Sequence, residues 1–85
     1  MSGPGGSPAV LDLRGTPCPV NFIRARLALE PLPPGGWLRI DLDGGEPEQM
    51  VTEGLRGEGH AVQRVEPSPF GPGEGVRLLV RRDGA

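Results

Sequence analysis

Trp37-Leu38-Arg39-Ile40-Asp41-Leu42-Asp43 alternates without a break, with Leu38, Ile40 and Leu42 facing one way and Arg39, Asp41 and Asp43 the other. A period of two is the pattern of a strand with one face on a core and one toward water. Upstream, Pro19 to about Leu32 is long enough for a helix, and Pro19 at its first position costs no hydrogen bond. Val20, Ile23 and Leu27 share a face there, with Phe22 and Leu29 beside it, so these side chains are expected to pack inward. Asn21, Arg24 and Ala28 form the exposed arc, and Arg26 and Glu30 are spaced for an i, i+4 ion pair. The cluster Pro31, Pro33, Pro34, Gly35 and Gly36 then ends the helix.

Downstream, Gly44-Gly45 stops the strand, and a second helix runs from Pro47 to about Glu58, with Met50, Val51 and Leu55 on one face. Gly54 in that face marks a close approach of helix to sheet, and Gly57 and Gly59 supply the stop. Ala9 to Arg14 alternates Ala9, Leu11 and Leu13 against Asp12 and Arg14 and reads as the first strand. Two weaker strands, His60 to Glu66 and Val76 to Arg82, flank a Gly/Pro loop from Pro67 to Gly75. The order is βαβαββ. It predicts an α+β fold, a two-layer α/β sandwich in which two helices cover one face of a four-stranded mixed sheet. The other face is left charged and wet, and the first two strands, joined through a helix, run parallel.

Gly and Pro supply 15 and 11 of the 85 residues, a share that raises the prior for disorder. Their positions answer it, because they fall between the short elements. Residues 1–8 read as a disordered tail, and residues 9–83 as a single domain. With 9 Arg, no Lys, 11 acidic residues and a net charge of −2, the chain lacks the basic footprint of a nucleic-acid binder. Its three aromatic residues, Phe22, Trp37 and Phe70, offer little stacking surface. One Cys and one His cannot build a structural zinc site, and a lone Cys has no disulfide partner. No apolar run approaches the roughly 20 residues of a membrane span, and the first residues lack a secretion signal. The expectation is a cytoplasmic monomer with no metal and no membrane or direct nucleic-acid partner.

The chemistry has one address: Gly15-Thr16-Pro17-Cys18-Pro19-Val20-Asn21, where the only thiol sits between two prolines at a strand-to-helix junction. A free cysteine is most often a small buried hydrophobe, but a residue between two prolines in a loop is poorly placed for a core. If Cys18 caps the helix, its sulfur meets unsatisfied N–H groups, which favour the nucleophilic thiolate. Pro19 cannot donate, so the expected donors are the N–H groups of Val20 and Asn21.

At these residues the chain resembles the TusA/SirA-like small sulfur-carrier proteins. Their mark is an N-terminal strand followed by Gly-x-x-Cys-Pro-x-Pro, present here as Gly15-Thr16-Pro17-Cys18-Pro19-Val20-Asn21. The resemblance extends over Ala9 to Arg82 and includes the element order, the turn at Pro34-Gly35 and the acidic residue before proline at Glu46-Pro47. It implies a sulfurtransferase that needs no cofactor beyond a covalent persulfide on Cys18. The sulfur would come from a cysteine desulfurase or rhodanese and go to an acceptor protein in tRNA thiolation, cofactor maturation or sulfur oxidation. It also implies partner contacts at about Arg26 and Glu46, with Arg24 close by. The family's second proline is Asn21 here, which retains an N–H and is expected to add a donor to the sulfur. An alternative is a non-catalytic, redox-responsive interaction or regulatory module on the same fold.

Overall fold

The computed structural model describes residues 9–71 and 73–83; the tail expected over residues 1–8 lies outside them. The elements follow the order β1 (Ala9–Asp12), α1 (Val20–Leu29), β2 (Trp37–Leu42), α2 (Glu46–Gly57), β3 (Ala61–Arg64) and β4 (Val76–Arg81). Each lies where the sequence places it, with ends shifted or trimmed by a few residues.

Strand order in the single sheet is β1-β2-β4-β3, so the strand with the clearest alternation holds an interior position. β1 pairs with β2 in parallel, Leu11 opposite Ile40. β4 pairs with both neighbours antiparallel, setting Leu38 opposite Val80, Ile40 opposite Leu78 and Val62 opposite Val80. These inward residues meet Ala25 and Leu29 of α1 and Val51 and Leu55 of α2 in one core cluster, so both helices cover the same face. Leu38, Ile40 and Leu42 are essentially inaccessible, each contributing about 1.5–3 kcal/mol of burial.

The buried face of α1 differs in part from the expected one. Leu29 turns inward as expected, but with Asn21 and Ala25, while Val20, Ile23 and Leu27 are 45%, 47% and 57% exposed. Apolar residues stand at nearly every position of this helix, so periodicity alone selects no face. Small Ala25 at its centre lets the backbone approach the sheet. On α2, Val51 and Leu55 are buried as expected, whereas Met50 is 46% exposed.

The face of the sheet opposite the helices is polar, but not uniformly wet. Asp41 is only 5% exposed there, because Arg77, its antiparallel partner, lies across it with Nε donating to Oδ1 at 2.7 Å and Nη2 to Oδ2 at 3.2 Å. Val10 and Trp37 add exposed apolar surface, with Arg81 over the Trp37 ring. No helix among the described residues is long and apolar enough to cross a membrane.

Candidate active site

Cys18 is exposed in the connection from β1 to α1. The backbone leading to it is held at four successive N–H groups. Leu13 donates to the Asp41 carbonyl at 2.7 Å and Thr16 to the Leu13 carbonyl at 3.0 Å. Between them Arg14 donates to Asp12 Oδ1 at 3.0 Å and Gly15 to Asp43 Oδ2 at 2.8 Å. Gly15 has φ +78°, a left-handed conformation that glycine adopts without penalty. The Arg14 guanidinium also bonds Asp12 through Nε and Nη2 and lies over the Phe70 ring at 4.8 Å.

Cys18 is not the helix cap. α1 begins at Val20, and Pro19 occupies the capping position without a side-chain capping bond. The peptide bond between Cys18 and Pro19 is cis. The expected donation from Asn21 to the sulfur is also absent, because its N–H donates to the Pro17 carbonyl at 3.0 Å. Asn21 is buried rather than exposed, at 1%; its Oδ1 accepts from the Phe22 N–H at 2.6 Å and its Nδ2 has no partner. Asn21 stands on the same face of α1 as Ala25 and Leu29, and that face is the buried one.

The thiol instead borders a cleft of about 370 Å³ between the helices, lined by Cys18, Pro19, Phe22, Met50, Glu53 and Gly54. The helices run side by side, with Phe22 against Gly54 and Arg26 paired to Glu58 at 3.1 Å. Met50 faces the cleft one turn earlier on α2. Gly54 is therefore a close approach of helix to helix, where the sequence suggested helix to sheet. Beyond that glycine no local signal links α2 to the thiol, because the pairing crosses 32 residues of chain. A larger cavity of about 590 Å³, lined by Asp43, Glu48, Arg64, Ser68 and a run of glycines, does not include Cys18.

The charged residues expected to contact partners are spread out. Arg26 pairs with Glu58, not Glu30, and stacks 5.8 Å from the Phe22 ring, beside the cleft. Arg24 lies close enough to Asp12 for its charge to act on that carboxyl. Glu46 is exposed at the first residue of α2. Among the described residues no cluster of three His, Cys, Asp or Glu could hold a metal ion.

This arrangement accords with what the chain is similar to. A crystal structure of a SirA-like protein from Desulfitobacterium hafniense superposes with a TM-score of 0.72, over 88% of this chain and 97% of that one, at 22% identity; it shares the fold. A candidate sulfur carrier protein of Archaeoglobus fulgidus is 40% identical over 57 residues, 67% of this chain, and the match spans 65% of that protein's length. Another from Thermotoga maritima is 33% identical over 64 residues, 75% of this chain and 78% of its own. The family model described as sulfurtransferase TusA matches residues 9–82. The chain belongs to the TusA family of sulfurtransferases, which includes sulfur carriers.

Proposed function

We propose that the protein carries sulfane sulfur as a persulfide on Cys18, taking it from a persulfide-bearing donor, a cysteine desulfurase or rhodanese, and yielding it to an acceptor protein. The observation that carries this reading is the only thiol of the chain, exposed at the lip of the inter-helix cleft. With no second cysteine, a persulfide there cannot collapse into an internal disulfide, and the outer sulfur waits for another protein's thiol.

Each step is an exchange without net oxidation, by analogy with thiol–disulfide exchange. The Cys18 thiolate attacks the terminal sulfur of the donor persulfide. A new S–S bond forms, the donor's S–S bond breaks, and the donor cysteine leaves as thiolate. An acceptor thiolate then attacks the terminal sulfur on Cys18 in the same manner. The cleft supports this by leaving one side of the thiol open to a partner's cysteine while Phe22 and Met50 keep the other apolar. Acceptors in tRNA thiolation, cofactor maturation or sulfur oxidation all fit such a relay. In this reading the protein acts as a cytoplasmic monomer, because the exposed thiol has to meet donor and acceptor in turn and reduced thiols persist in that compartment.

Incubation with a cysteine desulfurase and cysteine, followed by intact-mass spectrometry, tests the proposal. Wild type is expected to gain one sulfur, removable by excess thiol, and Cys18→Ser none. A wild-type chain that stays unmodified by desulfurase and rhodanese donors alike overturns it.

A further inference from the structure

The four anchored N–H groups before Cys18 are not equivalent. Three are held by groups of β1, its immediate continuation or the paired backbone of β2: the Asp41 carbonyl, the Asp12 carboxylate and the Leu13 carbonyl. The Gly15 N–H is held by a side chain, Asp43 Oδ2, from 28 residues away, just beyond the end of β2. No other side chain from a distant element bonds the backbone of residues 13–19 among the described residues. A carboxylate accepting from a backbone N–H makes a shorter and stronger bond than a neutral acceptor. Asp43 reaches it because β2 runs parallel to β1, Asp12 opposite Asp41, so both chains leave the sheet at the same end.

The geometry of Gly15 serves that bond. A Cβ at Gly15 would meet nothing within 4 Å, so the glycine is not there for want of space. Its φ of +78° turns the backbone where the strand stops, and Thr16-Pro17-Cys18 follows directly. With Pro17 on the way and the Gly15 and Thr16 N–H groups both held, the path from Gly15 to the thiol has few free torsions left.

We propose that Asp43 is a positioning residue for Cys18: its carboxylate, by holding the Gly15 N–H, fixes the turn that sets the thiol at the lip of the Phe22–Met50–Gly54 cleft. The proposal rests on the sulfur-carrier reading for its activity readout and on backbone dynamics independently of it. Asp43 touches no reacting atom. It governs how the thiol is presented to a partner's persulfide, a protein-sized reactant that needs a defined approach. A small reagent meets an exposed thiol from many directions and depends on the turn far less.

Wild type, Asp43→Ala and Asp43→Asn are compared by thermal midpoint, by hydrogen exchange of the Gly15 and Thr16 amides, by alkylation of Cys18 with iodoacetamide, and by sulfur uptake from a persulfidated desulfurase. Asn retains an acceptor oxygen; Ala does not. In Asp43→Ala, Gly15 exchange is expected to rise about tenfold and uptake kcat/KM to fall about fivefold or more, with alkylation within about twofold of wild type. Asp43→Asn is expected to restore exchange and uptake to within about twofold of wild type. Unchanged Gly15 exchange in Asp43→Ala overturns the proposal, as does a loss that Asn does not rescue or a fall in uptake matched by the same fall in alkylation. If wild type takes up no sulfur, the carrier reading fails, and the exchange data still decide whether Asp43 holds the turn.

Discussion

Gly54 on α2 lies so close to Phe22 on α1 that a Cβ at Gly54 would stand 2.5 Å from Cε1 and 2.8 Å from Cδ1 of the ring. Real side chains do not approach this closely, so Gly54→Ala must push the ring or the helices apart. Alanine gains about 1 kcal/mol of helix propensity over glycine, while overpacking costs about 1–3 kcal/mol. The clash should win. Thermal unfolding of Gly54→Ala is expected about 5–10 °C below wild type, at roughly 4–8 °C per kcal/mol for a domain of this size. Gly54→Ala/Phe22→Ala should recover part of the propensity gain, and a Gly54→Ala protein as stable as wild type would refute the contact.

The two faces of α1 give a second test. Ile23 and Leu27 are about half exposed, and Leu29 and Ala25 are buried against the sheet. Leu29→Ala is expected to cost about 2–5 kcal/mol in urea unfolding, whereas Ile23→Gln and Leu27→Gln should each stay within about 0.5 kcal/mol of wild type. The reverse order would restore the face that periodicity suggests.

That reversal shows where the sequence is informative and where it is not. β2 was legible because Leu38, Ile40 and Leu42 alternate with charges, and an alternating strand has one way to bury its apolar side. The helix α1 was legible as an element, through Pro19 and the Pro/Gly run after it, but not in its rotation. Seven of its ten residues are apolar, and only contact with the sheet chooses Ala25 and Leu29 over Ile23 and Leu27. Cys18 stood out locally as a thiol between prolines. Its neighbours in space, Met50, Glu53 and Gly54, depend on how α2 lies beside α1, and the tether from Asp43 depends on the parallel pairing of β1 with β2. Neither is encoded near Cys18.

On the opposite face of the sheet, Asp41 and Arg77 make a two-bond ion pair with Arg39 Nη2 a further 3.5 Å from Oδ2. Asp41 is almost wholly buried, so removing it leaves two arginines short of their counter-charge. Asp41→Ala is expected to lower stability by about 3 kcal/mol in chemical denaturation, the low end for breaking a buried pair because Arg77 keeps some access to water. Asp41→Leu/Arg77→Met, which replaces the pair by apolar side chains, should recover at least half of that loss. A double variant no better than Asp41→Ala would mean that the pair itself, and not the stranded charge, accounts for the effect.

Asp12 supplies the pH dependence. Its carboxyl is held below the usual carboxylate value, first by the side-chain hydrogen bonds of Arg14 and then by the Arg14 N–H. A carboxyl whose value is depressed on folding adds stability above its unfolded value, about 3.9 for Asp, and loses it as pH falls through the native value. The urea midpoint of wild type should therefore exceed that of Asp12→Asn at pH 7, and the two should converge as the pH is lowered below about 4. The gap should be small and shrink with added salt, since Asp12 and Arg14 are both well exposed and such pairs are screened. A gap that persists undiminished at the lowest pH at which the protein still folds would trace the difference to the uncharged hydrogen bonds of residue 12 instead of its ionisation.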